Sequence, residues 1–135
     1  MSTLRRLPGP IADIWDWQRR GSCRGTDAAQ FFHPDGERGL SRVRREQQAK
    51  AVCHGCPVRA ECAAHALTVR EAYGVWGGFT EAERLQLLAM GAVELIHRGR
   101  ADIDRMEQRL RARATAGTRL GGAAPRPRVP VHRVA

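Results

Sequence analysis

The sequence predicts an all-α fold: a small bundle of about four to five short helices followed by a basic, disordered C-terminal tail. Three observations predict it. Apolar residues recur three and four apart behind residues that cap helices, no stretch alternates long enough to make a confident strand, and glycines and prolines punctuate the chain at helix length. There is no internal repeat, and 135 residues make one small domain with appendages. The seven aromatics all fall between Trp15 and Phe79, so the core is expected within that window and in need of a bound inorganic centre.

Residues 1–9 read as a disordered N-terminus and residues 10–91 as the folded domain. Pro10 opens a short helical stretch, IADIWDWQRR, that Gly21 ends just before Cys23. Residues 26–32 read as a second short helix capped by Thr26 or Asp27, and His33-Pro34-Asp35-Gly36 as a turn. Ser41 is the expected cap of a third helix reaching Cys53. Pro57 suits the first turn of a fourth, on which Val58, Cys62, Ala66 and Val69 form one apolar stripe. Residues 73–79 make an aromatic turn in which Gly74, Gly77 and Gly78 supply positive φ around Val75 and Trp76. Tyr73, Phe79 and Leu67 are expected to be buried. Thr80 and Glu83 have the spacing of a capping box, and Gly91 is a stop. Residues 92–116 read as an extension with a helix from Ala101 to Ala114, and residues 117–135 as the basic disordered tail.

Chemistry is concentrated in Cys23, Cys53, Cys56 and Cys62, one cysteine followed after 29 residues by C-x2-C-x5-C. Two intervening residues let both thiolates face one metal or cluster, and the wider gaps tie distant segments together. Structural zinc and an iron–sulfur cluster fit this spacing equally well. Two disulfides fit less well as a resting state, because no secretory signal is present and a reducing cytosol is expected. The five histidines are scattered, and only His54, beside Cys53, invites a check. No nucleophile–base pair or paired carboxylates stand out, so the chain does not read as an enzyme. Nothing approaches the apolar length of a membrane span.

Charge is lopsided. Residues 1–96 carry 13 Lys and Arg against 11 Asp and Glu, whereas residues 97–135 carry 10 against 3, a net +7 of the total +9. A localised surplus of this kind is the electrostatic footprint of a polyanion, usually nucleic acid. Arg119, Arg126, Arg128 and Arg133 are the candidate DNA contacts, suited to phosphates more than to base reading.

The four cysteines, the Gly74-Val75-Trp76-Gly77-Gly78 turn and the basic C-terminus together resemble the WhiB-like (Wbl) family of actinobacterial iron–sulfur transcription factors. Leu7-Pro8-Gly9-Pro10, Asp13-Ile14-Trp15-Asp16-Trp17 and Phe31-Phe32-His33-Pro34-Asp35-Gly36-Glu37-Arg38 bring it closest to the WhiD type, over about residues 7–90. The resemblance implies one [4Fe–4S] cluster on Cys23, Cys53, Cys56 and Cys62, responsive to oxygen and nitric oxide. It implies docking on region 4 of the primary sigma factor of RNA polymerase through Trp17, Phe31, Phe32 and Trp76, with Trp15 a weaker candidate. It also implies a cytoplasmic regulator, monomeric on its own, that contacts promoter DNA. Arg24, His54 and Arg59 stand near enough in sequence to offset the charge of a thiolate-bound cluster. The chain departs from the pattern where residues 91–116 are inserted and where Arg98-Gly99-Arg100 continues into Ala101 instead of proline. Two other readings stay open: a metal-free thiol–disulfide oxidoreductase working through Cys53 and Cys56, and a zinc-stabilised DNA-binding module.

Overall fold

The computed structural model describes residues 16–120. The expected disordered segment 1–9, the helix start at Pro10, Trp15, and Arg126, Arg128 and Arg133 lie outside the described residues. Of Arg119 only the backbone is described.

Two 3-10 turns, Asp16–Arg20 and Ala28–Gln30, lead into helix α1, Gly39–His54, and helix α2, Arg59–Val69. Helix α3 spans Glu81–Ala89, followed by a 3-10 turn, Ala92–Leu95. Strands β1, Ile96–His97, and β2, Arg100–Ala101, form an antiparallel hairpin before helix α4, Ile103–Leu120. The architecture is all-α with this one small ribbon among the described residues, and none of their helices is long and apolar enough to cross a membrane.

Local chemistry explains most boundaries. Asp27 caps the second 3-10 turn, its carboxylate accepting from the Ala29 N–H at 3.0 Å. The Thr80 capping box is complete: its hydroxyl accepts from the Glu83 N–H at 3.2 Å, and the Glu83 carboxylate accepts from the Thr80 N–H at 3.0 Å. Gly91, at φ 69, ends α3 where a side chain would be strained.

Several expectations are corrected. Ser41 does not cap α1, which begins at Gly39 without a side-chain cap, at exposed residues where water can take the free N–H groups. Pro57 precedes α2, in a turn closed by the Arg59 N–H on the Cys56 carbonyl. Val69 and Tyr73 are exposed, and the buried face of α2 is instead Ala63, Ala64, Ala66 and Leu67.

The core also extends beyond Phe79. Ala63, Leu67, Phe79 and Leu87 pack with Leu95, Met106 and Leu110 in one cluster, and Met106 is fully buried. Aliphatic side chains from residues 92–110 therefore complete a core that has few aromatics. The packing does not stop at residue 91, and α4 runs past Ala114 and residue 116 to Leu120. The hairpin was invisible to a period-two search because each strand has two residues. Its turn, Arg98-Gly99, has φ 52 and 72, the geometry of a tight two-residue loop.

Candidate functional site

The glycine turn at residues 73–79 organises the site. The Trp76 and Phe79 backbones exchange hydrogen bonds of 3.1 and 2.9 Å across Gly77-Gly78, which sit at φ 58 and 78. Bulk is excluded as well as conformation restricted. A Cβ on Gly77 would lie 2.6 Å from that of Ala63, and one on Gly74 2.6 Å from the Phe32 ring.

Two arginines grip this turn. Arg84, buried on α3, donates to the carbonyls of Gly74 at 2.6 Å, Phe79 at 2.8 Å and Glu71 at 3.2 Å. Burial pulls its pKa down, opposed chiefly by the Glu81 carboxylate, and its Nε has no partner among the described residues. Arg59, at the start of α2, donates from Nε to the Gly77 carbonyl at 2.8 Å and pairs with Glu107 of α4 at 2.6 Å. Its guanidinium lies 5.6 Å over the Phe79 ring and 3.3 Å from His54 Nδ1. From the other side Glu81 accepts the Gly74 N–H at 2.7 Å and meets His33 and Arg42.

The turn closes one wall of a cavity of about 540 Å³. Cys23, Cys53, Cys56 and Cys62 all line it, and all four are free thiols. Cys23 arrives from the loop after the first 3-10 turn, Cys53 from the last turn of α1, Cys56 from the α1–α2 connection and Cys62 from α2. Cys23 is exposed and Cys53 buried. Burial pushes the Cys62 thiol up to about 12, against the opposing hydrogen bond from the Gly77 backbone. Cys53 is likewise raised by burial and opposed by the Gly78 backbone. The Ser22 N–H donates to the Cys56 sulfur at 3.4 Å.

This donor set fits a thiolate-ligated metal or cluster: four cysteines from separate segments line one cavity. Backbone N–H groups aimed at three of the sulfurs are the hydrogen bonds that stabilise thiolates once a cation draws off their protons.

Trp17, Phe31, Phe32 and Trp76 line the same cavity but differ in exposure. Phe32 is 44% exposed, whereas Phe31 is 8% exposed and packs with Ala49, Cys53 and Val75. Phe31, which caps the end of the 3-10 turn, faces inward while Phe32 faces solvent, and Trp17 and Trp76 are half-buried. Val75 is buried against Phe31, whose carbonyl accepts the Val75 N–H at 2.8 Å. Sequence reasoning missed His65, whose ring lies 5.7 Å from that of Trp17 and 5.5 Å from that of Trp76. Its place three residues after Cys62 on a helix was the available signal. Arg84 and Glu81 were missed too, their turn contacts being non-local.

Comparison with known proteins agrees with this assembly. A family model described as Transcription factor WhiB matches residues 17–87. The Transcriptional regulator WhiD of Streptomyces coelicolor is 60% identical over 96 residues, covering 71% of this chain and 86% of that protein. The Redox-responsive transcriptional regulator WhiB3 of Mycolicibacterium smegmatis is 61% identical over 91 residues, covering 67% and 95%. The Transcriptional regulator WhiB2 of Mycobacterium tuberculosis is more distant, at 44% over 81 residues, covering 60% and 81%. With its four cysteines gathered behind the glycine turn and relatives of the WhiD and WhiB3 type matching most of its length, the chain belongs to the WhiB family of transcription factors.

Proposed function

We propose that this chain is a redox- and nitric oxide-responsive regulator holding a [4Fe–4S] cluster on Cys23, Cys53, Cys56 and Cys62. It docks on region 4 of the primary sigma factor and contacts promoter DNA through its basic C-terminus. One observation carries the reading: the four sulfurs line a single cavity whose walls also bear Trp17, Phe32 and Trp76. A cluster there would supply reversible electron exchange and sensitivity to oxygen and nitric oxide. The protein's own part is to join four separate segments at that cavity and to hold Trp76 beside it, its indole N–H donating to the Tyr73 carbonyl at 2.8 Å. The half-buried aromatics at the rim are the kind that anchor a protein interface. Relatives named redox-responsive support the redox role.

The oxidoreductase reading loses ground on chemistry. A nucleophilic cysteine needs a lowered pKa, and burial raises that of Cys53. Nor is there a βαβ unit among the described residues to frame a thioredoxin-like motif. Anaerobic co-purification with the sigma factor, with iron and sulfide counted in the complex, tests the proposal. Four irons and four sulfides per chain are expected, and Trp76→Ala should weaken sigma binding while keeping the iron. Colourless protein with stoichiometric zinc refutes the cluster; equal loss of iron and binding in Trp76→Ala refutes the surface.

A further inference from the structure

We propose that the distal half of α4, from Gln108 to Leu120, is a rigid helical surface for the phosphate backbone of duplex DNA. This deepens the DNA contact proposed above and rests on it, moving the contact from a loose tail onto a helix fixed to the domain. The helix lies beyond residues 17–87, where the family match falls.

The root of α4 is anchored. Met106 and Leu110 are buried in the core, and Glu107 pairs with Arg59 at 2.6 Å. From Arg111 to Thr118 every residue is exposed, so the helix leaves the body and overhangs by about 12 Å. In the overhang the hydroxyls of Thr115 and Thr118 turn back onto their own helix, donating to the carbonyls of Arg111 and Ala114 at 3.0 Å each.

Composition names the occupant. Residues 108–120 hold four arginines and no acid, because the acids of α4, Asp104 and Glu107, stand in its first two turns. Arg105, Arg109 and Arg113 recur four apart and make one row, which drifts towards the side that carries Met106 and Leu110; Arg113 is exposed there because the helix has left the body. Arg105 and Arg109 pair only with partly exposed Asp102 and Glu94, contacts easily exchanged for phosphates. No ion pair holds Arg113 among the described residues. From Arg111 to Arg119 the residues between the arginines are alanine, threonine and glycine, which offer no large apolar anchor to a protein pocket but permit close backbone approach. Cations at regular intervals along a helix complement the regular charge array of a duplex.

The test is fluorescence anisotropy of the full chain, purified anaerobically, on a short A·T-rich DNA duplex across a salt series. Arg109→Gln/Arg113→Gln should lower the slope of log affinity on log salt by about two and weaken binding about tenfold. Ala112→Pro, which keeps every arginine but breaks the rod, should also weaken binding, with visible absorption unchanged. A chain ending at Leu120 should still bind. If only that truncation abolishes binding while the arginine variant matches the intact chain, the tail is the contact and this inference falls, though the wider reading stands. If Ala112→Pro binds as tightly as the intact chain, charge alone suffices and the rod is refuted. If the arginine variant loses polymerase binding but keeps its DNA affinity, the partner is an acidic protein surface and the inference is again refuted. An intact chain that binds no duplex refutes both.

Discussion

Gly77 and Gly99 both sit at positive φ, but only Gly77 also faces a backbone. A Cβ at Gly77 would press on Ala63 at 2.6 Å, whereas one at Gly99 meets open space. Gly77→Ala should therefore cost about 3 kcal/mol or more, against about 1 kcal/mol for Gly99→Ala, as read from urea midpoints. Arg84→Met should cost on the order of 3 kcal/mol, because it strands the buried Gly74 carbonyl and leaves that of Phe79 with the Trp76 N–H alone. Arg84→Lys should recover little of that, since an ammonium lacks the planar fork. Glu81 gives a pH signature. Burial alone would raise its pKa, but the Gly74 N–H, then His33 and Arg42, outweigh that and hold it below the ordinary 4.5. A carboxyl depressed on folding stabilises the fold above its unfolded pKa, and that contribution is lost as pH falls through the folded value. Stability should thus decline below about pH 4.5 in the intact chain and less steeply in Glu81→Gln, measured by thermal melts from pH 7 downwards. The cysteines and glycines of this site were legible in the sequence because spacing and residue type alone define them. Arg84 was not, because its carbonyl partners lie 5 to 13 residues away and a charged side chain reads as surface.

Among the elements, α3 was read almost to the residue, since its capping box is a contact between positions three apart. Helix α4 was harder. Its arginines and alanines look like the start of a polar tail, and only Met106 and Leu110 in the core betray its docking. Met106→Ala should cost about 2–4 kcal/mol in chemical denaturation, far more than a substitution on a dispensable appendage. An effect below about 0.5 kcal/mol would mean that α4 adds nothing to the fold. The end of the 3-10 turn at Phe31 shows the converse limit. Two adjacent phenylalanines promise that one faces out, but which one is decided by the Val75 N–H reaching the Phe31 carbonyl from 44 residues away.

Across the whole molecule, four sulfur-bearing segments meet at one cavity, and the glycine turn joins that cavity to the aliphatic core. The all-α class followed from periodicity, but the core's extension to residue 110 did not, because no local pattern announces which distant helix will cover Leu87. The double engagement of Arg59, on the Gly77 carbonyl and on Glu107, has a mechanical corollary. Peeling the C-terminal helix away under heat or urea also unlatches the loop bearing Trp76, so the two regions should not melt separately. Amide exchange of Met106 and of Phe79 should converge on one opening free energy, and Glu107→Ala should split them apart.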